Sequence, residues 1–582
     1  MLVKWQMKLT LQFKDLYYKF AWIYNQNTRK ISPINLKPNL KGIQNIPYVT
    51  DAGLSKSYRC IIRSVPFAKM WALALLLPSA LALTRIDPLV EIQNGLIRGL
   101  RSNDGQYSMF LGIPYGVVDA ENPFGPSVPH PGFEDTFDAF VDSSICPQYF
   151  GGTVRGSLDC LNLNIYVPNT ATSRNRLPVM VWIHGGGFIQ GGGNRELYSP
   201  EFLIKHDVII VSINYRLGPY GFLCVESENV AGNQGLKDQL LALRWIRENI
   251  QAFGGDVNKI TVFGIDSGAE SINLHLASPH EKLFDQAILQ SASEVKIGAP
   301  DNSVPIAAAE RLGYETEDLE DALNFLSSQD NHLVIAAFAD LRLNVGPCAE
   351  PDFDDKFIDS EASSTKIRNI PIIIGYTNDE ALFKYAKASP DVFVNFSFED
   401  KIGLEVNSEV VDHVRHFYIG DEDLNEDMRH QIINFESDFK YYHPTERLIK
   451  KYTDEGAKAI FYYVFSYVGE RNLMKVTANI TEGGATHFDD LGYLFSSNVL
   501  GIPSEDDQVV VDRLTSLWTN FAKFGEPTPE ENDLLPIKWS PVTSTKQWYL
   551  QIDSDLWLDS RPFHDRMAFW DLFYKLQEKS RK

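Results

Sequence analysis

From Leu177 onward the chain sets short, continuously apolar runs against longer stretches of helical spacing. Leu177-Pro-Val-Met-Val-Trp-Ile183 and Val208-Ile-Ile-Val-Ser-Ile213 are rich in β-branched residues and show no polar alternation. Such runs predict strands covered on both faces, as in a parallel sheet. Between Gly235 and Phe253 the apolar residues Leu236, Leu240, Leu243, Ile246 and Ile250 recur three or four positions apart, which predicts a helix. Lys259–Phe263 predicts another strand, a helix-like stretch from Gly268 to Ala277 follows, and Phe284–Leu289 and Ile370–Ile374 are further strands. Late in the chain Val510, Leu514, Leu517, Trp518 and Phe521 line one helix face. Gly525, with Pro527 and Pro529 behind it, supplies the stop. Strands alternating with helices predict an α/β fold, a single large mostly parallel sheet flanked by helices. No repeat or low-complexity segment occurs, and no linker-like break follows Thr84, so 84–582 reads as one large catalytic-type domain.

One apolar run is of another kind. Met70–Leu83 follows Lys69, holds about 13 apolar residues and closes on the small residues Ala80 and Ala82, which is the make-up of a secretory signal. It falls short of the roughly 20 residues that span a bilayer. A signal belongs at the N-terminus, so translation is expected to start at Met70, with 1–69 a doubtful N-terminal extension and 70–83 the signal peptide. A basic leader or a signal-anchor are the alternatives. No other stretch is long enough to span a membrane. The end, Glu578-Lys-Ser-Arg-Lys582, lacks the apolar tail of a lipid-anchor signal. The expected product is secreted, with no membrane span in the mature chain.

Charge supports that division. The net charge of the 582 residues is −22, yet residues 1–69 carry 12 Lys or Arg against Asp15 and Asp51 alone, leaving −32 from Met70 onward. A surface so acidic repels nucleic acid and anionic membrane. Of five cysteines, Cys60 lies in the doubtful extension, while Cys146 and Cys160 fit a small disulfide loop in an oxidising compartment. Cys224 and Cys348 have no obvious partners. The sequons at Asn395 and Asn479 agree with secretion and mark glycosylation candidates. No metal cluster or nucleotide loop stands out, so neither metal nor cofactor is expected.

Two glycine-rich turns carry the chemistry. His184-Gly-Gly-Gly-Phe188 directly follows a buried strand, where glycines let backbone N–H groups face a ligand as an oxyanion hole requires. His184 there more often positions the turn than takes part in chemistry. The second turn, Phe263-Gly-Ile-Asp-Ser-Gly-Ala269, lies between a strand and a helix. Glycines two before and two after its middle residue permit the sharp turn that thrusts this side chain into an active site. That residue is Asp266. Ser267 in a shifted register would have Ile265 and Ala269 where the turn needs glycine.

With these turns, the chain resembles the type B carboxylesterases, the family of cholinesterases and many insect esterases. The resemblance runs from about Pro88 to the C-terminus through Phe110–Tyr115, Asp159–Tyr166, the His184 turn, Asn214–Gly218, Gly232–Gln239, Asn249–Asp256 and Trp518–Lys523. It implies the α/β-hydrolase fold and carboxylic-ester hydrolysis. It also implies a triad whose acid is Glu380, in Gly375-Tyr-Thr-Asn-Asp-Glu-Ala381 with Ala for the usual final Gly, and whose base is His487, in Gly484-Ala-Thr-His-Phe-Asp-Asp490. The oxyanion donors would be the backbone N–H groups of Gly186, Gly187 and Ser267. Cys146 and Cys160 match the family's first disulfide, and its second has no counterpart. Ser291 matches a supporting serine of the family, although an ordinary strand-end residue explains it as well. The first disulfide loop, residues 147–159, lacks the Trp that binds cations in cholinesterases, so that specificity is not expected.

Two departures fall inside one preserved turn: Asp266 replaces the nucleophilic serine, and Ile265 replaces the family's usual Glu before it. An ester-cleaving triad needs an alkoxide generated by a neutral imidazole. A carboxylate attacking an ester gives an anhydride instead. Asp266 is expected to fold into the oxyanion hole, and His487, between two carboxylates, to hold its proton more tightly. The leading expectation is an esterase-like protein with ester turnover lost or strongly impaired, binding a small apolar ester, a related ligand or an unknown protein partner. One alternative is an active carboxylic ester hydrolase. A lesser one is an Asp-nucleophile hydrolase of halides or epoxides, for which the sequence identifies no leaving-group stabiliser.

Overall fold

The computed structural model describes residues 87–580, apart from 294, 344, 352–355, 359–365 and 404–407. The expected extension, the signal segment and Cys60 lie outside the described residues. From Pro88 on, the chain is organised by an eleven-stranded sheet. In chain order its strands are β1 (Leu100–Arg101), β2 (Tyr107–Pro114), β3 (Asn162–Pro168), β4 (Leu177–Ile183), β5 (Ile209–Ile213), β6 (Gly255–Ile265), β7 (Gln286–Gln290), β8 (Pro371–Thr377), β9 (Ala459–Phe465), β10 (Trp548–Ile552) and β11 (Leu556–Ser560). The spatial order is β11-β10-β9-β8-β7-β6-β4-β5-β3-β2-β1. β5, β4 and β6 through β10 run parallel, and the outer strands on both sides are antiparallel.

The apolar runs are continuous because both faces of these strands are covered. In β4, Val179, Val181 and Ile183 face one core while Met180 and Trp182 face the other. The first core is closed by α1 (Gln234–Asn249), through Leu236, Leu240, Leu243 and Ile246, and by α2 (Ser267–Ala277), through Ala269 and Ile272. The second is closed by α5 (Glu505–Phe524), whose Val510, Leu514, Leu517, Trp518 and Phe521 are all buried. Ser504 caps that helix by accepting from the Asp507 N–H, and Gly525 ends it at φ 70°. Between β8 and β9 run α3 (Arg429–Ser437), a π-turn over Asp438–Tyr442 and α4 (His443–Glu455). A closing helix, α6 (His564–Ser580), ends the described chain.

Each strand and helix expected from periodicity is present, with ends moved by a few residues. The Lys259–Phe263 strand is longer, spanning Gly255–Ile265, and the strand expected from Phe284 starts at Gln286. The Arg216 guanidinium, fully buried, meets the Asp238 carboxylate from α1 at 2.7 and 2.8 Å and donates to the carbonyls of Pro123 and Gly125, tying the region before β3 to α1.

One expectation is overturned. Cys146 and Cys160 are bonded, as expected, but Cys224 and Cys348 also form a disulfide, across 124 residues. Their separation gave no hint of a partner, because the contact is made by the fold: Asn233 accepts from the Cys348 N–H and donates to the carbonyl of Cys348. A cross-link over so long a loop restricts the unfolded chain, so Cys224→Ser is expected to cost about 2–4 kcal/mol. Urea unfolding of that variant beside the native chain checks it, and a loss below about 1 kcal/mol would contradict the bond's contribution.

Candidate active site

The parallel pairing of β4 with β6 sets Ile183 beside Gly264, so the glycine turn after β4 and the turn after β6 emerge side by side. The second turn is tight. A Cβ on Gly264 would lie 2.7 Å from the Ile183 carbonyl oxygen, and one on Gly268 only 2.1 Å from it, so both positions require glycine. Asp266 takes up the reversal at φ 53°, ψ −129°, a strained backbone for a non-glycine residue, and α2 starts directly after it.

The Asp266 carboxylate turns into the first glycine turn. Its Oδ2 accepts from the backbone N–H groups of Gly186 at 2.8 Å and Gly187 at 3.0 Å. The Ser267 N–H adds to the hold on this carboxylate. Two of the three expected oxyanion donors, the N–H groups of Gly186 and Gly187, are therefore taken by the aspartate itself. Oδ1 faces the other way, 3.8 Å from His487 Nε2, a charge contact too long for a hydrogen bond, and the side chain keeps 21% of its surface exposed.

His487 Nδ1 donates to Glu380 Oε2 at 2.6 Å. Glu380, fully buried just beyond β8, also accepts from the Thr377 N–H at 2.8 Å and from Ser291 Oγ at 2.5 Å. Ser291 is thus more than a strand-end residue: its hydroxyl fixes the acid. The loop carrying His487 is fastened by Asp489, which accepts from the N–H groups of Thr486, Met474 and Lys475, and by Asp379 and Asn378, which accept from those of Gly484 and Ala485. Phe383 and Tyr441, the latter from the π-turn, lie against the imidazole with ring centroids at 5.7 and 5.0 Å. His184 stacks on Tyr215 at 4.4 Å and donates to the Gly185 carbonyl, and burial lowers its pKa to about 4. It shapes the turn as a neutral ring.

Electrostatics follow from the two carboxylates. Burial alone would lower the His487 pKa, but Glu380 and Asp266 outweigh it and raise it from 6.5 to about 10. Burial would raise Asp266; the neighbouring His487 and the N–H groups of Gly186 and Ser267 win and hold it near 2. Sequence reasoning passed over a third carboxylate. Glu270, buried in the first turn of α2, has a pKa raised to about 7 by burial and then by the Asp266 charge, an effect that a hydrogen bond from Ser293 opposes. Its place four residues after Asp266, one helical turn on, was the available signal. Among the described residues no group of His, Cys, Asp and Glu is placed to hold a metal ion.

The chain matches the carboxylesterase family over residues 86–570. It is similar to a juvenile hormone esterase of Tribolium castaneum, at 31% identity covering 80% of this chain and 87% of that protein. It is also similar to the bile salt-activated lipase of Rattus norvegicus, at 30% identity covering 84% and 86%. Its fold matches the crystal structure of juvenile hormone esterase from Manduca sexta with OTFP covalently attached, with a TM-score of 0.73 and 26% identity, over 84% of this chain and all of that one.

The His487 charge makes stability depend on pH in a stated direction. A raised pKa in the folded chain means stability that is fully present below about 6.5 and lost as pH rises through about 10. Asp266, being lowered, matters only in acid, where its contribution is lost as pH falls from 3.8 through about 2. The unfolding free energy of the native chain relative to His487→Gln is therefore expected to fall by a few kcal/mol between pH 6 and 10. In an Asp266→Ala background, with one carboxylate gone, the loss should still begin near pH 6.5 but be smaller and complete at lower pH. A difference that stays flat with pH would contradict the assigned charge state.

Proposed function

The chain belongs to the carboxylesterase family, and we propose that it is a member in which the family's ester hydrolysis is lost or strongly impaired while the fold and its ligand site are kept. The observation that carries this is the Asp266 carboxylate hydrogen-bonded to Gly186 and Gly187. In acyl transfer those donors must receive the oxygen of the tetrahedral intermediate. Here they already hold an anion, and a substrate carbonyl would have to displace it.

Two further points support the reading. With Asp266 at the nucleophile position there is no hydroxyl for His487 to deprotonate, and attack by the carboxylate on an ester would yield an anhydride. His487, held protonated between Glu380 and Asp266, is in the wrong state for a general base at neutral pH. In this proposal Glu380, His487 and Asp266 form a charged cluster that keeps the shape of a triad, and the ligand is a small apolar ester, a related molecule or a protein partner.

We infer secretion from the signal-like segment at 70–83, with two disulfides suited to an oxidising compartment. The sequon asparagines Asn395 and Asn479 are exposed, as glycosylation requires. No helix among the described residues is long and apolar enough to cross a membrane. A second reading, an active ester hydrolase, is favoured by the intact 2.6 Å contact between His487 and Glu380.

Turnover of p-nitrophenyl butyrate decides between them. The native chain is expected to be inert, and Asp266→Ser to exceed it by on the order of 1,000-fold, since the loss of one triad member typically costs at least that much. Native turnover above a His487→Ala control would overturn the first reading and favour the second.

A further inference from the structure

We propose that Asp266 is the nucleophile of a different reaction, in which the chain opens small epoxides to diols through an alkyl ester formed on the Asp266 carboxylate. The two oxygens of this side chain are placed for two tasks. Oδ2 is fixed by the N–H groups of Gly186 and Gly187, while Oδ1 makes no hydrogen bond to either, lies toward His487 Nε2 at 3.8 Å and belongs to a side chain with 21% of its surface exposed. A carboxylate that attacks carbon uses one oxygen, and the other must sit where negative charge develops when the resulting ester is cleaved. The donors that obstruct ester hydrolysis thus become useful once the aspartate is the reacting group.

In the first step Oδ1 attacks a ring carbon. The carbon–oxygen bond of the ring breaks, its electron pair passes to the ring oxygen, and that oxygen takes the proton from His487 Nε2. The products are an alkyl ester on Asp266 bearing a free hydroxyl, and a neutral imidazole. His487 starts this step in the required state, because Glu380 and Asp266 keep it protonated at neutral pH. Esterification removes the Asp266 charge, so the imidazole faces Glu380 alone and becomes a better base.

In the second step His487 takes a proton from water as the hydroxide adds to Asp266 Cγ. The oxyanion forms on Oδ2, already between the N–H groups of Gly186 and Gly187. Collapse breaks the bond from Cγ to Oδ1, and the departing oxygen takes the proton back from His487 and leaves as the second hydroxyl of the diol. The new carboxyl group then gives its proton to His487, restoring the starting state. One epoxide and one water give one diol. An epoxide fits better than an alkyl halide because a departing ring oxygen needs a proton, which the neighbouring His487 carries, and a halide does not.

The test is a single turnover with the chain in excess over styrene oxide in water enriched in oxygen-18. The expected result is the heavy isotope in the peptide containing Asp266, with the first diol carrying none from solvent, and a diol rate at least about 100-fold above that of Asp266→Ala. Heavy isotope in the first diol with an unlabelled Asp266 peptide would mean direct attack by water and would overturn the proposal. A native diol rate no higher than that of Asp266→Ala would also overturn it. The isotope measurement uses the native chain alone, so it stands even where the variant fails to fold. Turnover of p-nitrophenyl butyrate by the native chain would sink the loss of ester hydrolysis proposed above and leave this inference in place.

Discussion

The register of β4 against β6 is the constraint on which the site depends. With Ile183 paired to Gly264, the ends of these neighbouring parallel strands lie side by side, and the chain must turn away from both without a side chain between them. Gly264 and Gly268 satisfy that by letting the backbone pass against the Ile183 carbonyl, at separations no Cβ would tolerate. The turn then has one direction in which to send its central side chain, toward the N–H groups of Gly186 and Gly187. Asp266 reaches the N–H groups of Gly186 and Gly187 because the backbone leads it there, and a serine on the same turn would stand at the same mouth.

Charge is the second organising factor. Three carboxylates, Asp266, Glu270 and Glu380, gather around one imidazole. Each is handled by a different device: Asp266 by backbone N–H groups, Glu380 by Ser291, Thr377 and His487, and Glu270 by a raised pKa with Ser293 as its hydrogen-bond donor. His487 answers two of these charges at once, and that fixes its protonation. The protonated state of His487 follows from that pairing and would relax only if one of the two charges were removed.

Much of this was legible in the residues. The strands announced themselves because a parallel sheet covered on both faces leaves long apolar runs, and α5 did so because Gly525 and the prolines behind it fix where the helix stops. The glycine spacing around Asp266 revealed the turn, and the chain's resemblance to its family pointed to Glu380 and His487. What lay out of reach depends on distant contacts. The bond between Cys224 and Cys348 joins segments 124 residues apart and had no local signature. The packing of Phe383 and Tyr441 on His487, and the hydrogen bond from Ser293 to Glu270, likewise join residues from different segments. Which way the Asp266 carboxylate points was a chemical expectation that only coordinates could express as two oxygens with different partners.

The neighbouring substitution at 265 belongs to the same electrostatic problem. Ile265 is fully buried in the second core, in the same apolar cluster as Phe263 and Trp182. A glutamate there would place another buried carboxylate in the chain next to Asp266, whose charge already helps to hold the Glu270 proton up to about pH 7. One imidazolium cannot neutralise so many buried carboxylates, and each unpaired one would cost several kcal/mol or stay protonated. Isoleucine removes that charge and fills the space with packing against the second core. Ile265 and Asp266 thus divide the turn between them: the apolar side chain packs into the second core, and the carboxylate stands at the apex, where the N–H groups of Gly186 and Gly187 and the His487 ring receive it.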